Sequence, residues 1–214
     1  MVFANRYEAA LQLIPFLKKY AREHSVILAV PRGGVPMGYE LAKHFNRPLE
    51  LLMAKKIGHP LDCEVAIGAV GLEDQLVDPA LRDVPLKYID KQIKQIRKSL
   101  KERYRKFVGD RPFADLENKV VIIIDDGVAT GNTILGSIKM IYRKHPKKVI
   151  VAVPVAPVET VAKMKKYVDD LMCLFVAENF SGVGLYYSDF SEVSDEEVIS
   201  LLRKASTVAV QHKG

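Results

Sequence analysis

Residues 120–133 read Val-Val-Ile-Ile-Ile-Asp-Asp-Gly-Val-Ala-Thr-Gly-Asn-Thr, and the fold prediction starts from this segment. Its first five residues are all β-branched, which is typical of a strand buried on both faces of a parallel sheet. Two carboxylates follow at once, Asp125 and Asp126, and then small residues let the backbone turn tightly before a helix begins near Asn132. Such a turn offers acceptors for hydroxyl groups beside a cluster of N–H donors for an anion. A sugar phosphate is a ligand that needs both.

A simpler interpretation is that Asp125 and Asp126 only end the strand and cap the next helix. Acids at helix starts are common. A capping pair does not also require the Thr-Gly-x-Thr of residues 130–133, so we favour the ligand-binding interpretation.

Two earlier apolar runs are also followed by residues suited to anions. Residues 26–30 lead into Pro-Arg-Gly-Gly at 31–34 and then into a helical pattern, which is the arrangement of an anion site. The next run, residues 48–55, ends in Lys55 and Lys56. A cation at the carboxyl end of a parallel strand faces the ligand crevice. A solvated loop lysine is an equal alternative.

Apolar runs alternate with helical patterns along most of the chain. This alternation predicts an α/β fold with a doubly wound, mainly parallel sheet flanked by helices. We find no repeat or linker, and 214 residues suit one domain, so residues 1–214 are interpreted as a single domain. Asn5 is expected to cap the first helix, Pro15 to kink or split it, and Ser194 with Glu197 to form a capping box for the last helix.

Composition limits the class of protein. No apolar run approaches the ~20 residues that a membrane-spanning helix needs, and the first residues soon reach charged side chains rather than a signal-type apolar block. We therefore expect a cytoplasmic protein with no membrane contact. The two cysteines, Cys63 and Cys173, lack metal or redox spacing, and the five histidines are scattered.

Positive charge is concentrated in one segment. Residues 87–106 contain nine Lys or Arg and two acids, a net charge of +7, whereas the whole chain carries +6. Such a basic helix can bind nucleic acid or draw anionic substrates toward a nearby cleft. More commonly it is a solvated face.

Residues 125–133, after their apolar strand, resemble the phosphoribosyl diphosphate motif of type I phosphoribosyltransferases. In that family the adjacent acids bind the ribose 2- and 3-hydroxyls, and the loop holds the 5-phosphate by backbone N–H groups and Thr hydroxyls. The resemblance implies that Asp125 and Asp126 bind ribose and that residues 128–133 bind the phosphate. The implied substrate-binding set is Asp125, Asp126, Gly127, Val128, Ala129, Thr130, Gly131, Asn132 and Thr133.

The same resemblance implies where the diphosphate binds. In the family the loop after the first core strand contacts it, sometimes through a cis peptide, and Arg32, Gly33 and Gly34 match that loop. Lys55, or alternatively Lys56, would meet diphosphate oxygens. Mg²⁺ would be carried by the diphosphate and keep most of its water shell, with no metal bound directly by the protein. The implied catalytic residues are Asp125, Asp126, Arg32, Lys55 and Glu64.

Two further segments resemble the parts of the family's fold that cover the active site. Residues 57–85, rich in Gly and Pro, correspond to a flexible flap that closes over the site, and Glu64 within it is the candidate for proton handling. Residues 177–192 correspond to a small hood that holds the acceptor base. Ordinary packing or a dimer contact is the alternative for its aromatic residues. The candidates for stacking on a flat ring are Phe180, Tyr186, Tyr187 and Phe190.

The resemblance implies transfer of a 5-phosphoribosyl group from phosphoribosyl diphosphate to a nitrogenous acceptor, with a nucleobase as the expected partner and a homodimer as the expected assembly. Hypoxanthine-guanine members carry a proton-transferring Asp where this chain has Ala129. This departure disfavours a 6-oxopurine acceptor or moves proton handling elsewhere, and Ala-Thr-Gly is closer to the adenine and uracil branches. The alternative function is a non-catalytic phosphoribosyl diphosphate sensor or RNA-binding regulator that uses the basic helix. The chain has no Gly-x4-Gly-Lys-Ser/Thr, so it is not predicted to be a P-loop kinase.

Overall fold

The fold combines a parallel sheet, a small antiparallel sheet and six α-helices within the residues that the structure, a computed structural model, describes: 2–20, 23–63, 65–78 and 84–210. The strands are β1 (Ser25–Ala29), β2 (Leu49–Leu51), β3 (Ala54–Gly58), β4 (Ala66–Gly71), β5 (Gln75–Val77), β6 (Val120–Ile124), β7 (Lys148–Pro157) and β8 (Asp170–Ala177). The helices are α1 (Arg6–Leu17), α2 (Gly34–Phe45), α3 (Leu86–Val108), α4 (Asn132–Tyr142), α5 (Val158–Met164) and α6 (Asp195–Val210).

The large sheet has five strands in the order β2-β1-β6-β7-β8, and each neighbouring pair is parallel. The central strand β6 is buried along its whole length. Ile122 and Ile124 pack into the apolar cluster that includes α1, α2, α3 and α6, whereas Val121 and Ile123 pack into the cluster that includes α4 and α5. The sheet is therefore covered on both faces, and the predicted doubly wound α/β fold is confirmed.

The apolar run at residues 48–55 is not one strand, and the structure corrects that prediction. β2 ends at Leu51 in the large sheet, and the chain then turns into β3, which pairs antiparallel with β4. β3, β4 and β5 form a separate three-stranded sheet, which we call the flap sheet. A continuous apolar run does not reveal where one buried strand stops and the next begins. The flap sheet begins at Ala54, three residues before the segment 57–85 to which the flap was assigned.

The predicted helix caps are present. The Glu8 N–H donates to Asn5 Oδ1 at 3.0 Å, and the Glu197 N–H donates to Ser194 Oγ at 3.1 Å. Pro15 does not split α1, which continues to Leu17 and then tightens into a 3₁₀ turn over Lys18–Tyr20. The proline lies in the last turn, so only the end of the helix is affected.

The basic segment forms α3, a helix of 23 residues. Its inner face is apolar and buried, as the spacing predicts, through Ile89, Ile93, Ile96, Leu100, Tyr104 and Phe107. Across the described parts of the chain, no helix has both the length and the apolar character that crossing a bilayer requires.

The start of the chain pairs with the hood, residues 177–192. The N–H groups of Val2 and Phe3 both donate to the Tyr186 carbonyl, at 3.0 and 2.9 Å. The N–H groups of Ser188 and Asp189 donate back to the carbonyls of Phe3 and Ala4, both at 2.8 Å. This pairing holds the beginning of α1 beside the hood.

Candidate active site

The two acids of the motif lie where β6 ends. Asp126 is 9% exposed, and its Oδ2 accepts a hydrogen bond at 2.8 Å from Nε of Arg6. Asp125 is partly exposed, and its Oδ1 accepts a hydrogen bond at 2.9 Å from the Asp126 backbone N–H. The loop thus presents one carboxylate that is paired with a cation and one that is held by the backbone.

Arg6 is a candidate site residue that sequence reasoning missed. It begins α1, and besides Asp126 it donates from Nη1 to the Ser191 carbonyl at 2.8 Å. Its guanidinium carbon lies 4.0 Å from the ring centroid of Phe190, a cation–π contact. No sequence signal could have found it, because Arg6 is separated from Asp126 by 120 positions and belongs to no motif.

Burial raises the pKa of both acids. The pKa of Asp125 lies well above its ordinary value because the carboxyl is desolvated and because the negative charge of Asp126 is adjacent. Burial also raises the pKa of Asp126, although the Arg6 guanidinium opposes this shift. The fold therefore carries an electrostatic cost at this point, which is common where a site is built to bind a ligand.

The glycine loop at residues 31–34 packs directly against the acids. A Cβ atom on Gly33 would lie 1.9 Å from Asp126 Oδ2, and one on Gly34 would lie 2.6 Å from the Ile124 carbonyl oxygen. The peptide bond between Pro31 and Arg32 is cis. Only residues without a side chain allow this approach, so the two loops of the candidate site are in contact.

Arg32 is held by two acids, one at the end of the hood and one at the start of α6. Its guanidinium forms an ion pair with Glu192 and lies 3.6 Å from Asp195 Oδ1. Asp195 also pairs with Lys106 Nζ at 2.7 Å and lies 3.9 Å from the Arg103 guanidinium, and both cations belong to α3. The basic helix is therefore linked to the glycine loop through one shared carboxylate.

The turn after the acids contains one backbone N–H that is bonded within the protein, and it leads into a helix whose first N–H groups have no intrahelical partner. The Val128 N–H donates to the Val155 carbonyl at 2.9 Å, and its side chain is buried, so Val128 anchors the turn to β7. Gly131 has φ +68°, a backbone conformation that favours glycine, and α4 begins directly after it. Thr130 and Thr133 are exposed. The first N–H groups of α4 lack intrahelical partners and are suited to an anion.

Tyr187 and Phe190 of the hood pack beside the acid loop. Their rings stack with centroids 5.0 Å apart, and Phe3 covers Tyr187 at 5.4 Å. Tyr187 is 3% exposed, and its hydroxyl donates to the Asp126 carbonyl at 2.6 Å. Burial raises the pKa of this hydroxyl above its ordinary value. The face of Tyr187 is thus covered by protein, and the residue holds the acid loop in place.

The remaining hood aromatics, Phe180 and Tyr186, contact each other, and Tyr186 ends the 3₁₀ turn Val183–Tyr186. Phe180 and Tyr186 stack with centroids 5.8 Å apart and are only partly buried. Val183 lies so close to the acid loop that a Cβ on Gly127 would fall 2.5 Å from it. The hood therefore borders the turn that follows the acids.

Lys55 and Lys56 lie within β3 of the antiparallel flap sheet, so the prediction that they follow the carboxyl end of a parallel strand is wrong. Lys55 is exposed and Lys56 is partly buried. Glu64 lies outside the described residues.

The flap sheet packs against α4, where a Cβ on Gly136 would lie 2.6 Å from Ala69. A cleft of about 760 Å³ is lined by the flap sheet, α4 and Lys163 of α5, and Asn132 at the start of α4 forms part of its wall. A cavity of about 280 Å³ lies farther away, between α3, the middle of α4 and the β2–β3 connection.

A five-stranded parallel sheet with two acids, a glycine loop and a small-residue turn at its carboxyl edge defines a type I phosphoribosyltransferase fold. The chain belongs to the phosphoribosyltransferase family, because the phosphoribosyl transferase domain of that family matches residues 8–189. The predicted family resemblance is confirmed.

Individual relatives agree with this assignment. The crystal structure of TT1426 from Thermus thermophilus superposes with a TM-score of 0.88 at 34% identity, and the match covers 95% of this chain and 99% of that one. Proteins from two Mycobacterium tuberculosis strains, provisionally named phosphoribosyl transferases, are 33% identical over 210 residues. This chain spans about half the length of those curated relatives, since the match covers 47% of them. A purine phosphoribosyltransferase from Pyrococcus horikoshii shares the fold at 18% identity, with a TM-score of 0.50 and coverage of 90% and 97%.

Proposed function

We propose that this protein transfers a 5-phosphoribosyl group from phosphoribosyl diphosphate to a ring nitrogen of a heterocyclic acceptor, a nucleobase. The bond from the anomeric carbon to the diphosphate oxygen breaks, a carbon–nitrogen bond forms, and the acceptor loses one proton. The observation that carries the proposal is the contact between Gly33 and the Asp126 carboxylate. This contact joins a candidate diphosphate loop to a candidate ribose site, as a substrate with both groups requires.

The acids would act on the sugar. Asp125 and Asp126 offer oxygens to the ribose hydroxyls, and their negative charge favours the positive charge that the ring acquires as the leaving group departs. Both carboxyls lie in a desolvated site, where such an interaction is stronger than in water. Placing two adjacent acids in a desolvated site costs folding free energy, which is consistent with a role in binding a ligand rather than in stabilising the fold.

The anionic groups would be bound on either side of the acids. The turn at residues 129–133 and the start of α4 would hold the 5-phosphate, with Thr130 and Thr133 as hydroxyl donors. Arg32, Gly33 and Lys55 would hold the diphosphate, for which Arg32 has to exchange Glu192 for the substrate. Magnesium would arrive as the salt of the diphosphate, as part of the substrate.

The acceptor would lie between the acids and the hood, where Phe180 and Tyr186 present partly exposed rings. Ala129 supplies no proton-transfer group, which favours an acceptor of the adenine or uracil type.

A panel of nucleobases incubated with phosphoribosyl diphosphate and Mg²⁺, with diphosphate release as the readout, tests the proposal. We expect one base to give release, and Asp126→Asn to lower the rate by at least about 100-fold because a ribose ligand and its charge are lost. Asp110→Asn, at a 92% exposed side chain, is the matched control and should keep full activity. Release that survives Asp126→Asn would contradict the assignment of the acids.

A second candidate function, a nucleic-acid-binding regulator, is favoured by the outer face of α3. Six exposed cations recur along it at alternating spacings of four and three, so they form a single stripe roughly 27 Å long. Within the described residues only two of the six form an ion pair, Lys98 with Glu102 and Arg105 with Asp110. The stripe consists of Lys87, Lys91, Lys94, Lys98, Lys101 and Arg105.

Fluorescence anisotropy with a single-stranded RNA of about 20 nucleotides tests this second candidate, because binding through such a stripe should fall steeply between roughly 50 and 200 mM salt. Charge reversal at Lys91, Lys94 and Lys98 should abolish binding. The same reversal at the exposed Lys18, Lys43 and Lys165 is the control. Equal loss in both triple variants would show that only net charge matters, and the stripe would have no specific role.

A further inference from the structure

Arg6 makes more contacts than a helix-capping or surface arginine needs. Its Nε–H donates to Asp126, its Nη1–H donates to the Ser191 carbonyl, and its guanidinium lies over the Phe190 ring. Both partners of the ion pair have side chains that are only 13% exposed. An arginine held by three different groups loses little side-chain entropy when it pairs with a carboxylate, and its N–H groups fix the orientation of that carboxylate.

Arg6 fixes the orientation of the Asp126 carboxylate through one of its two oxygens. It engages Oδ2, which is also the oxygen nearer the glycine loop, because a Cβ on Gly33 would lie 1.9 Å from Oδ2 and 3.0 Å from Oδ1. The ion pair therefore holds Oδ2 beside the glycine loop and leaves Oδ1 as the oxygen that Arg6 does not engage. A carboxylate that was free to rotate would offer this oxygen only part of the time.

The charges around Asp126 are few. Asp125 lies next to it on the same turn, and the hood contributes the Tyr187 hydroxyl and Asp189, whose pKa is lowered chiefly by hydrogen bonds from Ser191. Arg32, on the neighbouring glycine loop, is engaged by Glu192 and Asp195. Arg6 is thus the cation that the structure places in contact with the Asp126 carboxylate.

We infer that Arg6 is a positioning residue: by engaging Oδ2 it holds the Asp126 carboxylate ionised and in one rotamer, with Oδ1 left to accept from a ribose hydroxyl of bound phosphoribosyl diphosphate. This role rests on the proposed function. It also explains why the first turn of α1 is held to the hood by residues 2–4, since Arg6 must keep its place relative to an acid at the carboxyl end of β6.

Phosphoribosyl diphosphate affinity, measured by calorimetry between about pH 6.5 and 9 with Mg²⁺, tests the inference. We expect Arg6→Gln to weaken binding at pH 7 by about 10- to 100-fold, the range for losing a charge-assisted hydrogen bond. Its affinity should recover toward pH 9, because without the guanidinium a higher pH is needed to ionise Asp126. Arg6→Lys keeps the charge and should be weakened less, with no such pH dependence. Lys19→Gln removes an ion pair to Asp170 away from the site and serves as the control, with unchanged affinity.

The possible failures are distinguishable. Arg6→Gln with wild-type affinity, or Arg6→Gln and Arg6→Lys that are equally weak at every pH, would overturn the positioning role while the proposed function stands. If the wild-type protein bound no phosphoribosyl diphosphate, the proposed function would fail and the ligand role of Arg6 with it. The link to Asp126 has its own ligand-free readout, because Arg6→Gln should lower the unfolding midpoint less in an Asp126→Asn background than in the wild type.

Discussion

At the scale of single residues, the candidate site is marked by two carboxyl groups whose ionised form is disfavoured in the folded protein. Asp125 is the clearer case, because burial and the neighbouring negative charge of Asp126 raise its pKa, although the hydrogen bond from the Asp126 N–H and the charge of Arg6 oppose the shift. The folded state therefore releases the Asp125 proton less readily than the unfolded chain does. The Asp125 proton therefore contributes to the free energy of unfolding at low pH. This contribution is lost as the pH rises through the ordinary carboxyl range toward the raised pKa.

Asp125→Asn should consequently stabilise the protein at neutral pH while it removes a proposed ribose ligand. The amide oxygen can still accept from the Asp126 N–H. We expect the unfolding midpoint at pH 7 to rise by about 2–4 °C, which corresponds to roughly 1 kcal/mol for a chain of this size. The difference from the wild type should shrink as the pH is lowered to about 4, and phosphoribosyl diphosphate binding should be lost. Scanning calorimetry at both pH values is the measurement, and a variant that is less stable at pH 7 would contradict the electrostatic account.

Gly33→Ala tests the contact between the glycine loop and the acids. The new methyl group would occupy the position of the Asp126 carboxylate, so either the loop or the ion pair with Arg6 has to move. We expect a loss of phosphoribosyl diphosphate affinity of at least about 10-fold, since displacing a ligand group by about 1 Å is costly. Gly71→Ala, where a methyl group would meet Met140 at an ordinary 3.4 Å, is the matched control. Equal affinity in the two variants would show that the contact is unimportant.

At the scale of elements, a buried acid joins three parts of the fold. Glu50 of β2 is 1% exposed and accepts hydrogen bonds from the Tyr104 hydroxyl at 3.0 Å, from Arg111 at 3.2 Å and from the Ala114 N–H at 3.3 Å. Burial and the charge of Glu50 raise the pKa of Tyr104 above its ordinary value. This network ties α3 and the chain before β6 to the edge of the large sheet.

Tyr104→Phe should therefore destabilise the fold by about 1.5–3 kcal/mol, the range for a hydrogen bond to a charged group. Tyr88→Phe, on the same helix, removes a hydrogen bond to the neutral Gly58 carbonyl at 3.0 Å and should cost about 0.5–1.5 kcal/mol. Urea unfolding of both variants gives the comparison. If the two costs were equal, the Glu50 charge would add nothing to the link.

At the scale of the whole molecule, the candidate site is assembled from parts of the chain that lie far apart. Arg6 comes from the first helix, Gly33 follows β1, the acids follow β6, and the hood precedes α6. A ligand that contacts all of these parts binds the folded state alone. Its binding energy therefore adds to the free energy of unfolding.

Phosphoribosyl diphosphate with Mg²⁺ should accordingly raise the unfolding midpoint by about 5–10 °C at roughly 100 times its dissociation constant, because that concentration adds ~2.7 kcal/mol. Differential scanning fluorimetry over a concentration series is the measurement. The Asp126→Asn variant should show little shift and is the control. A midpoint that does not change up to millimolar ligand would argue against binding at this site.

Local patterns sufficed for much of this description. The β-branched run at residues 120–124 indicated the buried central strand, since only a strand covered on both faces tolerates so many apolar residues in succession. The acids and small residues that follow it indicated the site, because their chemistry is confined to consecutive positions. The caps at Asn5 and Ser194 were readable for the same reason, since each involves residues three positions apart.

Contacts between distant segments were decided only by the tertiary structure. The sequence by itself determined the parallel α/β class, the acid pair and the glycine loop, because periodicity and motif chemistry act over a few residues. The pairing of Arg6 with Asp126, the burial of Tyr187 beneath the acids and the division of residues 48–55 between two sheets depend on how elements pack. Packing joins residues that lie far apart along the chain, and no short stretch of sequence records it.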